Sequence, residues 1–314
     1  MPFIVVSDGM DQNQFEALQS VEQFEVHPQK KISQDDLKKL LPKIEGLVIR
    51  SATKPNKEII DSAPNLKYII RAGEGTDNID KAYCQERGIK VSNTPGANNN
   101  SAAEHAIALM MSTLRKVPWA HQSMKEGRWD KSLYTGVELW KKKIGIIGLG
   151  RIGQILARRL QGFEVEVLYY DPSLKSCDIA NCTKVNDIKE LFKLCDIISI
   201  HIPLMEKTKN MIDFELLSLM QPTSILINAA RGQIVNEDDL YTILKERKIR
   251  AAAFDVFASE PLPEATKLRE LDNFIMTPHL GASTEEAQVR VGEMSVNQMK
   301  EFFLNNNLLN EVKA

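Results

Sequence analysis

Cysteine is scarce in this chain of 314 residues, which has four: Cys84, Cys177, Cys182 and Cys195. None of them forms a Cys-x-x-Cys pair, and none lies beside a cluster of histidines. This pattern argues against a zinc site and a disulfide framework, and it favours reduced thiols in a cytoplasmic protein. We therefore expect no metal ion in the protein.

Long apolar runs and an excess of one charge are also missing. No apolar stretch reaches the roughly 18 residues that a membrane-spanning helix needs. The N-terminal residues lack the basic and apolar regions of a signal peptide. The net charge of −2 gives no general attraction for nucleic acid or for an anionic membrane. We therefore expect neither a nucleic acid nor a membrane as a partner.

A glycine motif with its structural context intact is the most informative feature present. Gly148-x-Gly150-x-x-Gly153 follows the apolar run 144–147 and precedes a helical pattern and a second apolar run, 165–170. Gly148 suits the tight turn from strand to helix, Gly150 admits a pyrophosphate close to the backbone, and Gly153 permits close packing of helix and strand. The pattern predicts a dinucleotide-binding Rossmann domain.

The second apolar run ends on Asp171, at the distance expected for a residue that contacts the adenosine ribose. A carboxylate at that place repels a 2′-phosphate, so NAD is predicted rather than NADP. The pyrophosphate is expected at the N-terminus of the helix that begins near Arg151, where free N–H groups and the helix dipole favour an anion. The alternative is a purely structural glycine turn.

Apolar runs and helical patterns alternate along the whole chain, which indicates parallel strands joined by crossover helices. The length suggests two domains. Because the glycine motif begins about 145 residues into the chain, we predict a Rossmann domain inserted into a flavodoxin-like substrate domain. The fold class is α/β with two doubly wound parallel sheets. The predicted NAD-binding domain is 98–283, and the substrate-binding domain is 1–97 and 284–314. The active site is expected in the cleft between them.

Three ionisable residues follow predicted strand ends: Arg231, Glu260 and His279. Ligands of doubly wound sheets bind outside the carboxyl ends of the strands. Hydride transfer between a 2-hydroxy acid and nicotinamide needs a histidine to exchange the hydroxyl proton, a carboxylate to orient it and an arginine to hold the substrate carboxylate. Each residue has a structural alternative: a surface charge, a cap before a proline, and a buried histidine.

These residues stand in longer motifs that resemble the D-isomer-specific 2-hydroxy acid dehydrogenase family, most closely its phosphoglycerate dehydrogenase branch. The matching motifs are Arg50-Ser-Ala-Thr-Lys54, Arg71-Ala-Gly, Asp77-Asn78, Asn93-Thr-Pro95, Ser101-Ala-Ala-Glu104, Gly148-Leu-Gly-Arg-Ile-Gly153, Asn228-Ala-Ala-Arg-Gly232, Asp255-Val-Phe257, Glu260-Pro261 and Pro278-His-Leu-Gly-Ala-Ser283.

The resemblance implies that Arg231 binds substrate and that Glu260 and His279 form the acid–base pair. It also implies that the carboxylate of Asp255 accepts a hydrogen bond from the nicotinamide carboxamide. Further cofactor contacts are implied for Arg151, Ile152, Pro203, Ala229, Ala230, Gly281 and Ala282.

In the phosphoglycerate branch, Arg50, Arg71, Gly73 and Asn98 match positions that face the substrate. Two cations and an amide suit a substrate that carries a carboxylate and a phosphate, although the arginines could be ordinary strand-end charges. Glu74 departs from the branch, which commonly has a small or hydroxyl residue there, and its carboxylate would repel an anion unless it pairs with a cation.

The resemblance therefore predicts NAD-dependent oxidation of 3-phospho-D-glycerate to 3-phosphohydroxypyruvate, the first step of serine biosynthesis. A hydroxypyruvate or glyoxylate reductase, another D-2-hydroxy acid dehydrogenase, and a non-catalytic NAD-sensing protein are the alternatives. The family also implies a homodimer, or a higher oligomer, through the 101–140 region. Because longer relatives carry regulatory domains beyond the residue that matches Ala314, feedback control by serine through such a domain is not expected.

Overall fold

The computed structural model describes residues 1–27 and 32–313. The chain folds into two compact units. The first unit comprises Met1–Asn98 and Ala282–Ala314, and the second comprises Asn99–Gly281. No helix within the described residues is long and apolar enough to cross a membrane.

The first unit is built around a five-stranded parallel sheet. Its N-terminal segment contains β1 (Phe3–Val6), α1 (Gln12–Gln19), β2 (Glu25–His27), α2 (Gln34–Leu40), β3 (Gly46–Ile49), α3 (Lys57–Asp61), β4 (Tyr68–Arg71), α4 (Lys81–Glu86) and β5 (Lys90–Asn93). The strand order β2-β1-β3-β4-β5 is the flavodoxin-like order.

Local sequence explains most of these elements. Four helices begin after a side chain that accepts a hydrogen bond from the first turn: Asp11, Ser33, Asn56 and Asp80. The strands β1, β3 and β4 are largely apolar because helices cover both faces of the sheet. In β4, for example, Tyr68 and Ile70 enter the apolar cluster on one face, whereas Ile69 enters the cluster on the other.

The second unit contains a seven-stranded parallel sheet. Its elements are α5 (Asn99–Arg115), α6 (Val117–Lys125), β6 (Lys143–Ile147), α7 (Arg151–Leu160), β7 (Glu166–Tyr170), β8 (Cys182–Lys184), α8 (Ile188–Leu194), β9 (Ile197–Ile200), α9 (Phe214–Leu217), β10 (Ile225–Asn228), α10 (Glu237–Lys245), β11 (Ala251–Phe254) and β12 (Phe274–Met276). The order β12-β11-β10-β9-β6-β7-β8 contains the Rossmann order with one further strand at β12.

Helix α5 packs against α7, β10 and β11 on one face of this sheet. Because all strand pairs are parallel, the carboxyl ends of β6, β7, β9, β10, β11 and β12 lie along one edge. The last helix of the chain, α11 (Glu285–Asn305), belongs to the first unit and packs against α1 and β4.

The predicted α/β class with two doubly wound parallel sheets is confirmed. The prediction from sequence did not include β8, a three-residue edge strand without a periodic apolar run. The apolar helix that begins near Ser101 ends at Arg115, because Lys116 adopts a left-handed conformation with φ of 54° and Pro118 follows.

Candidate active site

The glycine motif forms a tight turn in which Gly148 and Gly153 leave no room for a side chain. Gly148 has φ of +90°, and a Cβ there would lie 2.7 Å from the carbonyl oxygen of His201. A Cβ at Gly153 would lie 2.3 Å from the carbonyl oxygen of Gly148. At Gly150, in contrast, a Cβ would meet no protein atom within 4 Å. The turn therefore leaves open space at Gly150, where the fingerprint predicts a pyrophosphate.

The helix after this turn begins at Arg151, and no side chain caps its N-terminus. Its first backbone N–H groups, which include that of Ile152, can therefore bind an anion. Asp171 follows β7, and its carboxylate accepts hydrogen bonds from the backbone N–H groups of Leu149 (3.0 Å), Ser173 (2.9 Å) and Leu174 (3.1 Å). The carboxylate thus lies directly beside the glycine turn.

We expect NAD(H) to exceed NADP(H) by at least about tenfold in kcat/KM, because a 2′-phosphate would meet the carboxylate of Asp171. Asp171→Asn removes the charge and keeps one acceptor oxygen, which can serve the N–H groups of Ser173 and Leu174, so it should narrow the difference in kcat/KM between the two cofactors. Asp171→Ala removes the charge and all acceptor oxygens, so comparison of the two variants distinguishes the effect of the charge from the effect of the loop hydrogen bonds. Steady-state kinetics with both cofactors measure this, and equal efficiency in the wild type would contradict it.

The loop after β10 presents Arg231 and is braced by its own residues. The amide nitrogen of Asn228 donates to the carbonyl oxygen of Arg231 at 2.9 Å, and its oxygen accepts from the N–H of Ala230 at 3.0 Å. Arg231 itself is extended, and its Nη1 donates to the carbonyl oxygen of Ala230 at 2.7 Å. A Cβ at Gly232 would lie 1.9 Å from the carbonyl carbon of Phe257, so this glycine lets two loops touch.

His279 and Glu260 form a direct pair, with His279 Nδ1 and Glu260 Oε2 separated by 2.7 Å. Both side chains are about one-third exposed, at 34% and 35%. The second carboxylate oxygen of Glu260 accepts a hydrogen bond from the N–H of Phe257 at 3.1 Å. Because Nδ1 is held by the carboxylate, Nε2 is the ring nitrogen left to exchange a proton with a ligand.

The electrostatics of this pair keep Glu260 ionised. Burial alone would raise the pKa of Glu260, but the hydrogen bond and charge of His279, the N–H of Phe257 and the charge of Arg231 outweigh it and hold the pKa below its usual value. Glu237 differs, because burial raises its pKa. The carboxylate of Glu237 accepts a hydrogen bond from the N–H of Ala258 at 2.6 Å and so fixes the loop that carries Glu260.

Asp255 follows β11 and is buried, with 1% of its surface exposed. Its Oδ1 accepts hydrogen bonds from Thr277 Oγ1 (2.6 Å) and the N–H of Leu280 (2.7 Å), and Oδ2 accepts from the N–H of Gly281 (2.8 Å). His105 Nε2 lies 3.1 Å from Oδ1. The structure thus surrounds this carboxylate with protein donors, and a bond to the nicotinamide carboxamide stays a prediction.

The other predicted cofactor residues lie near the same strand ends. Pro203 follows β9, and its carbonyl oxygen accepts a hydrogen bond from Thr208 at 2.8 Å. Ala229 follows β10 directly. Ala282 is the first residue of the C-terminal segment of the first unit, and its carbonyl oxygen accepts a hydrogen bond from Gln288 at 2.7 Å.

Arg50 follows β3 in the first unit. The carboxylate of Asp8 accepts a hydrogen bond from its backbone N–H at 2.7 Å, and Asn78 donates to its carbonyl oxygen at 2.8 Å. Burial lowers the pKa of the Arg50 guanidinium, and the negative charge of Asp8 acts in the opposite direction. A half-buried guanidinium that has lost part of its hydration gains from an anionic ligand.

The end of β4 and the loop after it carry Arg71, Gly73 and Glu74. Gly73 has φ of +145°, and a Cβ there would lie 1.4 Å from Arg71 Nη1, so the guanidinium rests on the glycine backbone. Asn93 at the end of β5 donates to the carbonyl oxygen of Glu74 at 2.6 Å. Asn98 Oδ1 is buried and has no hydrogen-bond partner among residues 1–27 and 32–313, so it can accept a hydrogen bond from a ligand group.

The structure therefore brings Arg231, Glu260 and His279 to one edge of the second sheet, together with the glycine turn. The four predicted substrate residues belong to the first unit. Four contributors were absent from the sequence-based set of site residues: His105, Asn228, Glu237 and Thr277. Only Asn228 and Thr277 had a signal, since both follow apolar runs at strand ends; His105 and Glu237 have the pattern of ordinary helix residues. Over residues 1–27 and 32–313, no group of three His, Cys, Asp or Glu side chains could hold a metal ion.

Comparison with known proteins identifies the family of this chain. The sequence profile of the family described as D-isomer specific 2-hydroxyacid dehydrogenase, NAD binding domain, matches residues 107–281. The chain is 42% identical over 306 residues to D-3-phosphoglycerate dehydrogenase of Synechocystis sp., covering 97% of this chain and 54% of that protein. It thus spans about half the length of this curated relative and of others with the same name.

Two further relatives extend this comparison. Hydroxypyruvate reductase of Thermotoga maritima is 43% identical over 289 residues, covering 91% of this chain and 94% of that protein. The NAD-bound 3-phosphoglycerate dehydrogenase of Entamoeba histolytica superposes with a TM-score of 0.84 at 30% identity, covering 100% of this chain and 99% of that one. The chain therefore belongs to the D-isomer specific 2-hydroxyacid dehydrogenase family and carries its NAD-binding domain.

Proposed function

We propose that the protein is an NAD-dependent dehydrogenase that oxidises 3-phospho-D-glycerate to 3-phosphohydroxypyruvate, the reaction that opens serine biosynthesis. The observation that carries a dehydrogenase function is the 2.7 Å contact between His279 and Glu260. Beside it lie Arg231, whose charge acts on Glu260, and the glycine turn on the same sheet edge. The phosphorylated substrate is supported by Arg50 and Arg71 and by the relatives named phosphoglycerate dehydrogenase.

Each residue has one role in the proposed reaction. Arg231 binds the substrate carboxylate through two parallel hydrogen bonds and so orients C2. His279 Nε2 takes the proton of the C2 hydroxyl, and the ionised Glu260 stabilises the imidazolium that results. NAD, when bound, accepts the hydride that leaves C2. In the reverse direction, His279 returns the proton to the carbonyl oxygen.

The chain fits NAD at several named places. The open space at Gly150 and the uncapped N-terminus of α7 suit the pyrophosphate. Asp171 would accept hydrogen bonds from the adenosine ribose. The remaining residues proposed to contact the cofactor are Gly148, Arg151, Ile152, Gly153, Pro203, Ala229, Ala230, Asp255, Gly281 and Ala282. Arg50, Arg71, Gly73 and Asn98 are proposed to bind the substrate.

The choice of substrate should depend on Arg71 and Glu74. If Arg71 binds a phosphate, Arg71→Ala removes a charge-assisted contact of about 1.5–3 kcal/mol. The KM for phosphohydroxypyruvate should then rise roughly 10- to 150-fold, and the KM for hydroxypyruvate should change little. Arg50→Ala should change the two KM values in the same way. NADH absorbance over both substrates measures this, with the exposed Arg247→Ala as the matched control.

Glu74→Ser separates two roles of the carboxylate. If Glu74 repels the phosphate, the variant should improve kcat/KM for phosphohydroxypyruvate. If the carboxylate instead orients Arg71, the same variant should lower kcat/KM for phosphohydroxypyruvate. A wild type that prefers hydroxypyruvate or glyoxylate, combined with arginine variants that lose all substrates equally, would contradict the phosphoglycerate assignment.

A hydroxypyruvate or glyoxylate reductase is the second candidate. The observation that favours it is Glu74, which places a carboxylate three residues from Arg71. The hydroxypyruvate reductase of Thermotoga maritima also matches over 94% of its length. The substrate experiment above decides between the two reactions.

We propose that the chain forms a homodimer through the 101–140 region. Leu109, Met110 and Leu114 are buried within the second unit, but Trp129, Leu133 and Met124 are 80%, 63% and 52% exposed. A cluster of large apolar side chains at the surface is typical of an interface. Light scattering should give a mass near twice 35.4 kDa, and a monomer at micromolar concentration would contradict the proposal.

A further inference from the structure

His105 lies on α5, more than 120 positions before Arg231, Glu260 and His279. Its side chain is 17% exposed, and its Nε2 lies 3.1 Å from Asp255 Oδ1. The same nitrogen lies 3.2 Å from Thr277 Oγ1. Asp255 is itself buried, at 1% exposure, so the imidazole contacts a carboxylate that has little access to water.

The hydrogen-bond roles in this network follow from the chemistry of its members. Burial alone would raise the pKa of Asp255, but the hydrogen bonds from His105, Thr277 and the N–H of Leu280 outweigh this effect and hold the pKa below its usual value. The carboxylate of Asp255 is therefore ionised, and an ionised carboxylate only accepts hydrogen bonds. Thr277 donates its hydroxyl hydrogen to Asp255 at 2.6 Å. His105 must therefore carry a hydrogen on Nε2, which faces two acceptors.

Asp255 in turn holds the loop that carries His279. Its carbonyl oxygen accepts a hydrogen bond from the N–H of His279 at 2.8 Å. Its carboxylate accepts from the next two backbone N–H groups, those of Leu280 and Gly281, at 2.7 and 2.8 Å. His279 has φ of +56°, a left-handed conformation that costs free energy in a residue with a side chain. The loop keeps this conformation because its hydrogen bonds to Asp255 compensate for the cost.

We propose that His105 is a positioning residue for the reaction: through Asp255, it fixes the left-handed loop that presents His279 Nε2. The proposal rests on the proposed function for its kinetic effect, but not for its effect on the loop. His105 donates one of the hydrogen bonds that keep Asp255 ionised and oriented. Without that donor, the buried carboxylate has fewer partners, and the loop it anchors gains freedom.

The test uses three variants of the full chain. His105→Leu removes the donor and retains an apolar side chain of similar volume. His105→Gln keeps an N–H group at similar reach. Glu104→Gln is the matched control, because Glu104 is the adjacent residue of α5, its side chain is 62% exposed, and it pairs with Arg159 outside the network.

In kinetics, we expect His105→Leu to lower kcat about tenfold and to raise the KM for NADH by no more than about threefold, because the loop that gains freedom carries His279, whereas most of the proposed NADH contacts lie outside it. His105→Gln should restore kcat to within about threefold of the wild type, and Glu104→Gln should match the wild type. A fall in kcat that His105→Gln does not rescue, or an equal loss in NADH binding, would overturn the proposal in favour of a general structural role.

Hydrogen–deuterium exchange gives a readout that needs no activity. Peptides covering 277–281 should exchange at least about threefold faster in His105→Leu than in the wild type or in His105→Gln, with other segments of the second unit unchanged. Unchanged exchange in this segment would overturn the proposal. If exchange increases as expected but the wild type reduces no 2-oxo acid, the proposed function fails and the positioning role stands.

Discussion

Replacing His279 by Asn should lower kcat by roughly 10²–10⁴ and leave NADH binding nearly unchanged, because proton transfer by a positioned side chain contributes about that much. In the proposed reaction, this loss follows from the geometry: Nδ1 is held by Glu260 at 2.7 Å, which leaves Nε2 of the ring to exchange the proton. Asn keeps a polar group but has no nitrogen that titrates near neutral pH. Stopped-flow or steady-state NADH absorbance measures kcat, and fluorescence titration measures NADH affinity.

Two further variants define this result. His27→Asn makes the same change at a side chain that is 49% exposed in the first unit, and it should keep the wild-type rate. Glu260→Gln should move the pH profile of kcat to lower pH, both for substrate oxidation and for the reverse reduction. The reason is that the Glu260 carboxylate, whose pKa lies below its usual value, is ionised near neutrality and stabilises the imidazolium of His279. Near-normal turnover in His279→Asn would assign the proton transfer to another group.

Replacing Arg231 by Gln should lower kcat/KM for every 2-oxo acid substrate by about 10²–10⁴, because two charge-assisted hydrogen bonds of about 1.5–3 kcal/mol each are lost. The guanidinium donates one hydrogen bond to this loop, at the carbonyl oxygen of Ala230, but other residues brace the loop as well. Asn228 braces the backbone at Ala230 and at Arg231 itself, and Gly232 packs directly on Phe257. The loss should therefore be specific to the substrate.

The kcat/KM of Arg231→Lys should lie between the values of Arg231→Gln and the wild type, since lysine keeps the charge and loses the planar pair of donors. Arg247→Gln, at a side chain that is 57% exposed, tests whether loss of any arginine is enough, and it should have no effect. A substrate KM that is unchanged in Arg231→Gln would remove Arg231 from the substrate site. The measurement is kcat/KM over a panel of phosphorylated and unphosphorylated 2-oxo acids.

Most of the fold was predictable because its signals are local. Apolar runs of four or five residues predicted β4, β6 and β10, since strands buried on both faces need no polar alternation. Side chains that cap the first helical turn fixed where α1 and α2 begin. In contrast, β8 has three residues with partial burial, and its pairing with β7 comes from the sheet rather than from its own pattern.

The candidate site likewise has residues that the sequence predicts and contacts that only the structure shows. The glycine motif, Asp171 and the three ionisable residues were found from the sequence, because a tight turn demands glycine and because parallel strands bring their carboxyl ends to one edge. The sequence carried no sign that His105 contacts Asp255, 150 positions later in the chain. That contact exists because α5 packs against β11, a long-range arrangement that helix periodicity alone does not specify.

The sequence by itself determined the fold class, the dinucleotide fingerprint and the family, since each depends on residue types at fixed spacing. The tertiary structure alone decided the 2.7 Å contact of His279 with Glu260, the left-handed backbone of His279 and the donors around Asp255. These features depend on distances of a few tenths of an ångström between loops that are remote in sequence. Only the packing of the completed sheet and its helices fixes such distances.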